Sequence, residues 1–375
     1  MTIKTKYVFH PFEISLCGHS NSGKTTLITK LISHFSKRFD VGYIKHDAHR
    51  FEMDREGKDT YLAKASGAKQ VAISSPLKSA FIFENSFNEL ALRQIFLDSD
   101  IVLIEGYKDS LANKILLWKG GAKDEELLAK YRANPEHQLL AIVGTQKTSP
   151  CSEFPYFERD DLDSITKFIE DLWQNKINQR KLNGLILTGG KSSRMGTDKG
   201  ALEYYEKNQI AHLHDLLEGL VDNIFVSCRF DQTHLSYIKP FQTISDRFID
   251  FGPTGGILSA FQEDPDAAWI VLACDMPFLS KNSILELLEK RNPFAMASCY
   301  YNGEKKWPEP LYAIYEPKAA QKLGSYLALG KPCPRKVLMN SRIELLKPVE
   351  ENILKNANTP EDFSKLKNEI GGIYK

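Results

Sequence analysis

Gly18-His19-Ser20-Asn21-Ser22-Gly23-Lys24-Thr25 follows the apolar run Phe12 to Cys17 and opens a helical stretch near Thr25 to Phe35. A strand, a loop of the form Gly-x-x-x-x-Gly-Lys-Thr and a helix, in that order, make a P-loop. The glycines let the backbone curl so that several N–H groups point inward, and the helix adds the positive end of its dipole. Lys24 is suited to the β- and γ-phosphates of a nucleotide, and the Thr25 hydroxyl to Mg²⁺. Gly18, Asn21, Ser22, Gly23, Lys24, Thr25 and Thr26 are therefore nucleotide-binding candidates, with Thr25 also a metal ligand. Their acidic counterpart is Glu105, which closes the apolar strand Asp100-Ile-Val-Leu-Ile-Glu105. Open α/β sheets gather ligands at such carboxyl ends.

A second glycine bend of different design lies far along the chain. Leu185-Ile186-Leu187-Thr188 is strand-like, and Gly189-Gly190-Lys191-Ser192-Ser193-Arg194-Met195-Gly196-Thr197-Asp198-Lys199 turns out of it. No Gly-Lys-Ser/Thr helix opening is present, so this is not a second P-loop. Backbone N–H groups of the turn can wrap a triphosphate. Arg194 offers a planar fork to phosphate oxygens. Lys199 is a point charge suited to an α-phosphate, where charge shifts during attack. Ile270-Val-Leu-Ala-Cys-Asp275-Met-Pro277 ends an apolar strand in a carboxylate fit to hold Mg²⁺. Between them, the run Asp246 to Gly256 supplies an acid for guanine or ribose and glycines for close backbone approach. The catalytic candidates are Arg194, Lys199 and Asp275. The nucleotide candidates are Leu187, Thr188, Gly189, Gly190, Lys199, Asp246, Gly256 and Asp275, with Asp275 as the metal ligand.

Outside these loops, strand and helix patterns alternate: strands at Val41–Lys45, Val71–Ser74, Ala80–Glu84 and Leu139–Val143, and a helix at Asp161–Trp173. The polar stretch Gln174 to Lys181 interrupts, and alternation restarts with strands at Ile224–Cys228, Trp269–Cys274 and Leu311–Tyr315. The expectation is an α/β protein of two domains. An N-terminal P-loop NTPase-like fold occupies 1–174, a linker 175–182, and a C-terminal Rossmann-like nucleotidyltransferase fold with a mainly parallel sheet 183–375. A net charge of +1 over 375 residues gives no global field for nucleic acid or anionic membrane. No apolar run is long enough for a membrane span. The six cysteines (Cys17, Cys151, Cys228, Cys274, Cys299, Cys333) form no C-x-x-C pair. A cytoplasmic protein without nucleic-acid or membrane partners is expected. His46 and His49 are open between a metal site and a surface or substrate contact, and Pro334-Arg335-Lys336 between a phosphate site and solvated surface.

The first half resembles the molybdopterin-guanine dinucleotide biosynthesis protein B (MobB) family. The likeness rests on Gly18 to Thr26, Lys45-His46 with His49, Asp54 with Gly57-Lys58-Asp59, and Ile104-Glu105-Gly106-Tyr107-Lys108. It implies a GTP-binding adaptor, weak as a GTPase, with homodimerisation through this domain. The second half is similar to the MobA family of molybdenum cofactor guanylyltransferases. Here the carriers are Leu187-Thr188-Gly189-Gly190, Ser192 with Arg194-Met195-Gly196, Asp198-Lys199, Gly252-Pro253 to Gly256, Cys274-Asp275-Met276-Pro277, Pro310-Leu311-Tyr312-Ala313 and Asn358-Thr359-Pro360-Glu361-Asp362. The resemblance implies GMP transfer from GTP to Mo-molybdopterin. Leu187 to Gly189, Lys199, Asp246 and Asp275 would then contact GTP, and insertion proteins or apo-molybdoenzymes would receive the product. Thr188 departs from the usual Ala, and Ser227 from an Asn of some members. Two alternatives stay open: a sugar-phosphate nucleotidyltransferase, and a GTP-dependent delivery scaffold with little catalysis.

Overall fold

The computed structural model describes residues 7–46, 54–84, 87–188, 198–348 and 350–373, and divides after Glu170 into two compact units. The first unit runs β1 (Glu13–Cys17), α1 (Lys24–Phe35), β2 (Val41–Lys45), α2 (Asp59–Ala65), β3 (Gln70–Ser74), β4 (Ser79–Phe83), α3 (Glu89–Ile95), β5 (Ile101–Glu105), β6 (Lys114–Trp118), α4 (Ala122–Ala133), β7 (Leu139–Gly144), β8 (Tyr156–Glu158) and α5 (Leu162–Asn178), within which the division falls. Its main sheet has the order β2-β5-β1-β6-β7-β8, and each pairing is parallel. β1, β5 and β6 are buried along their whole length, which explains their unbroken apolar reading. α1 buries Leu27, Ile28, Leu31 and Phe35, a single helical stripe. Leu16 pairs with Glu105 in the β1–β5 register, so the acid comes out beside the loop that leaves β1. β3 and β4 stand apart as an antiparallel hairpin.

β6 was not among the expected strands, although Ile115-Leu116-Leu117-Trp118 is an apolar run; its first residue is a lysine. Lys114 is fully buried, and its Nζ donates to the carbonyls of Ser110, Ala112 and His137. Each ammonium hydrogen is thus satisfied by backbone oxygen, which makes burial tolerable. Burial still pushes the Lys114 pKa down, with Cys17 and Glu13 opposing the shift.

The second unit continues with β9 (Leu182–Leu187), α6 (Gln209–Leu217), β10 (Asn223–Cys228), β11 (Thr243–Ser245), α7 (Pro253–Glu263), β12 (Ala268–Ala273), α8 (Lys281–Glu289), β13 (Ala297–Asn302), β14 (Trp307–Tyr315), α9 (Ala319–Ala328), α10 (Pro334–Met339), β15 (Glu344–Leu346) and α11 (Pro360–Ile373). Its sheet order is β11-β10-β9-β12-β14-β13-β15. β14 is antiparallel to both neighbours and the remaining pairings are parallel. β9 lies between β10 and β12, with Leu187 paired to both Ser227 and Ala273. Thr188, Cys228 and Cys274-Asp275 therefore emerge together at one sheet edge, the place where open α/β sheets bind ligands. Ile186, Val226, Ile270, Leu272 and Ile314 pack the core behind that edge. Among the described residues, no helix is long and apolar enough to cross a membrane.

Candidate functional site

Each unit presents its own site. In the first, the loop between β1 and α1 bends through Gly18 (φ 149°), Asn21 (φ 61°) and Gly23 (φ 91°). A Cβ on Gly18 would sit 2.8 Å from the Leu117 carbonyl oxygen, so only glycine fits there. The loop borders a cleft of about 940 Å³ lined by Gly18, Asn21, Gly23, Lys24, Thr25 and Thr26, with Glu105 opposite. Lys24 Nζ folds back onto the carbonyls of Gly18 (3.1 Å) and His19 (2.8 Å). Burial lowers its pKa, and Glu105 partly restores it. Ser22 faces away from the cleft: its hydroxyl is buried beneath Gly18 with no hydrogen-bond partner among the described residues.

Glu105 organises the far wall. It accepts from Thr25 Oγ1 (2.9 Å) and from the Tyr43 hydroxyl (2.9 Å), with Lys45 Nζ at 4.0 Å. Burial and the bond to Glu105 push the Tyr43 phenol up to about 12. Hydroxyl and carboxylate side by side form an all-oxygen donor set, which suits a hard cation such as Mg²⁺. Tyr43 escaped the sequence reading, although it shares the exposed face of β2 with Lys45 at the period of two. Arg159, which lies against Gly23, carried no sequence signal. His46 packs against Tyr107 with the rings tilted by 46° and 4.5 Å between centroids, and lines the cleft. His49 lies outside the described residues.

In the second unit, Gly189, Gly190 and Arg194 likewise lie outside the described residues. The bend re-enters at Asp198, whose Oδ1 accepts from Gly200 N (2.9 Å) and Oδ2 from Gln232 Nε2 (2.8 Å). With Asp198 fixed in this way, Lys199 Nζ reaches Asp275 Oδ2 at 3.1 Å and Asn358 Oδ1 at 2.9 Å. Asn356 Nδ2 donates to the other Asp275 oxygen at 3.3 Å. Asn356 and Asn358 were not among the sequence candidates, although Asn358-Thr359-Pro360-Glu361-Asp362 was visible as a motif. The motif is a helix cap. Asp362 Oδ2 accepts from Asn358 N and Thr359 N, and Thr359 Oγ1 accepts from Asp362 N, which starts α11 and places Asn356 on Asp275 and Asn358 on Lys199.

Two buried oxygens near Asp275 have no hydrogen-bond partner among the described residues: Glu309 Oε2 and the Tyr204 hydroxyl. Burial raises the pKa of both groups, and the Asp275 charge adds to the shift. Asp275, Glu309 and Tyr204 offer oxygens of the kind Mg²⁺ takes, while both Asp275 oxygens meet nitrogen donors, Lys199 Nζ and Asn356 Nδ2. Farther along the sheet edge, Thr188 Oγ1 donates to Ser227 O (2.9 Å), which accommodates the departure from Ala. Ser227 Oγ donates to Asp246 Oδ1 (2.7 Å), so the departing serine is a direct partner of the candidate acid. Burial raises the Asp246 pKa, opposed by Ser227 and Arg229.

Gly256 closes this pocket from α7. A Cβ there would meet Ser227 Oγ at 2.5 Å and Leu187 Cδ2 at 2.8 Å. Gly256→Ala is expected to cost about 1–3 kcal/mol of stability through overpacking, by displacing Ser227 from Asp246. Denaturant unfolding checks this; a variant with wild-type stability contradicts it.

Residues 13–145 match the family model for molybdopterin guanine dinucleotide synthesis protein B, and residues 184–344 the model for the MobA-like NTP transferase domain. A molybdenum cofactor biosynthesis bifunctional protein of Synechocystis is 33% identical over 202 residues, covering 54% of this chain and 58% of that protein. The shared stretch thus spans somewhat more than half of that relative's length. A molybdenum cofactor guanylyltransferase of Pseudomonas aeruginosa is 31% identical over 180 residues, covering 47% of this chain and 90% of that protein. A molybdopterin-guanine dinucleotide biosynthesis adapter protein of Haemophilus influenzae is 37% identical over 109 residues, covering 28% of this chain and 61% of that protein.

Proposed function

Since the chain belongs to the molybdenum cofactor guanylyltransferase family through its second unit and carries a MobB domain in its first, we propose that it joins GMP from GTP to Mo-molybdopterin and releases pyrophosphate. A phosphate oxygen of the acceptor attacks the α-phosphorus. The bond from that phosphorus to the bridging oxygen of the β-phosphate breaks, and the bridging oxygen leaves with pyrophosphate. The observation that carries this reading is the 3.1 Å approach of Lys199 Nζ to Asp275 Oδ2, the acid that follows the carboxyl end of the central strand β12. Lys199 neutralises charge on the α-phosphate, and Arg194 grips phosphate oxygens as a planar fork. Leu187, Thr188, Gly189, Gly190, Asp246 and Gly256 hold the nucleoside and its phosphates. Asp275 would hold Mg²⁺, which would supply positive charge to stabilise the leaving pyrophosphate. No covalent enzyme intermediate is required.

The test is incubation of the whole chain with GTP, Mg²⁺ and either Mo-molybdopterin or a sugar 1-phosphate. A guanine dinucleotide of the pterin is the expected product. Transfer to the sugar phosphate alone would replace this reading with a sugar-phosphate nucleotidyltransferase.

The first unit is proposed to bind a second GTP as an adaptor, with Thr25 and Glu105 as its Mg²⁺ residues. The working limits are 1–174 and 183–375. Lys24→Ala is expected to weaken GTP binding at this unit by about tenfold or more, from loss of a charged phosphate contact. GMP transfer by the second unit should persist; retained tight binding at both sites would contradict the assignment. Insertion proteins or apo-molybdoenzymes are the proposed recipients of the product.

A second copy of the chain is the proposed partner of the β3–β4 hairpin. Ile73 (57% exposed), Leu77 (98%) and Phe81 (68%) leave it apolar toward solvent. Phe81→Asp should convert a dimer to monomer in sedimentation; a dimer that survives the change removes the hairpin from the interface.

A further inference from the structure

The β13–β14 turn builds a second cation onto the network around Asp275. Asn302 Oδ1 accepts from Lys305 N (3.0 Å), and Lys306 N bonds Asn302 O (2.8 Å) with Lys306 at φ 58°, so the turn is fastened at both ends. From it Lys305 Nζ reaches Asn356 Oδ1 at 2.6 Å. Asn356 in turn donates to Asp275 Oδ1, while Lys199 holds Asp275 Oδ2. Asp275 thus has a lysine on either side, one direct and one through an asparagine.

Glu309, on the same hairpin, stands behind Lys305. Its Oε2 is 3.6 Å from Lys305 Nζ, and its side chain is only 5% exposed against 35% for Lys305. Glu309 Oε2 makes no hydrogen bond among the described residues, so it acts on Lys305 by charge rather than by a directed bond. Lys305 Nζ keeps donor capacity beyond Asn356, because an ammonium carries three hydrogens. Two residues on, the Arg335 guanidinium sits 4.1 Å over the Trp307 ring, adding another cation beside the turn.

Phosphoryl transfer between two phosphate esters must bring two anions together, and their repulsion must be offset on both sides of the reacting phosphorus. Lys199 serves the donor side. We propose that Lys305 receives the acceptor's phosphomonoester, with Glu309 and Asn356 as positioning residues that hold its ammonium beside Asp275. This rests on the guanylyltransferase reading and assigns the acceptor side of that same site.

The experiment compares wild type, Lys305→Ala, Lys305→Arg and Glu309→Gln as full-length chains. GTP and molybdopterin binding are titrated separately, and KM for each is measured in GMP transfer. Lys305→Ala should raise Kd and KM for molybdopterin about tenfold to a hundredfold, the loss of one charge-assisted contact, with the GTP values unchanged. Lys305→Arg should recover most of the affinity. Glu309→Gln should show a smaller loss confined to molybdopterin, and thermal unfolding separates it from a folding defect. Unchanged molybdopterin binding in Lys305→Ala overturns the proposal, as does an equal loss for GTP, which would place Lys305 in the nucleotide seat. A wild-type chain that transfers no GMP would instead overturn the guanylyltransferase reading itself.

Discussion

Asp275→Asn should lower GMP transfer by about two to three orders of magnitude, the scale seen when one group aimed at developing charge is removed. Its carboxylate lies at the end of β12, in contact with Lys199 Nζ on one oxygen and Asn356 Nδ2 on the other. An amide of the same shape can still accept one of those bonds, so the local fold should survive. What disappears is the negative charge that holds Lys199 over the reacting phosphate and that would bind Mg²⁺. The loss should therefore fall on kcat more than on GTP affinity. Steady-state transfer and GTP titration on the same preparation separate the two. A variant with near wild-type turnover would remove Asp275 from the chemistry.

Glu316→Ala should destabilise the second unit by about 3–5 kcal/mol, because it removes the buried carboxylate to which Arg180 and Arg291 both donate. The Glu316 carboxylate is 1% exposed and accepts from Arg180 Nη1 (2.8 Å), Arg291 Nε (2.7 Å) and Arg291 Nη2 (3.1 Å). The Arg180 and Arg291 side chains are themselves only 7% and 13% exposed. The cluster ties the segment before β9, the segment after α8 and the end of β14. Removing the acid takes the shared carboxylate away from two buried guanidinium side chains. Urea unfolding measures the cost. A midpoint within error of wild type would mean that water or another group replaces the carboxylate.

The fold class was legible because its two deciding loops follow buried strands, and buried strands read as unbroken apolar runs. Glu105 and Asp275 were legible for the same reason, as acids that end such runs. β6 went unread although Ile115 to Trp118 is such a run; what its sequence hides is the burial of Lys114, which depends on three surrounding carbonyls. α5 continues from Trp173 to Asn178 through residues whose polarity marks solvent exposure rather than a broken helix. Asn356, Asn358, Lys305 and Glu309 could not be found by periodicity. They come from a helix cap and a hairpin turn that are distant from Asp275 in sequence and meet it only through the order of β12, β14 and α11. Ser227 carried a partial signal as a departure, and its bond to Asp246 gives that departure a physical meaning.

The most direct measurement follows the phosphorus atoms. Full-length protein is given Mo-molybdopterin, Mg²⁺ and GTP labelled at either the α- or the γ-phosphorus. Cleavage at the innermost phosphorus predicts α-label in the pterin guanine dinucleotide and γ-label in pyrophosphate. γ-Label appearing only as inorganic phosphate, with α-label remaining in GDP, would show a GTPase without transfer and contradict the role given to Lys199 and Asp275.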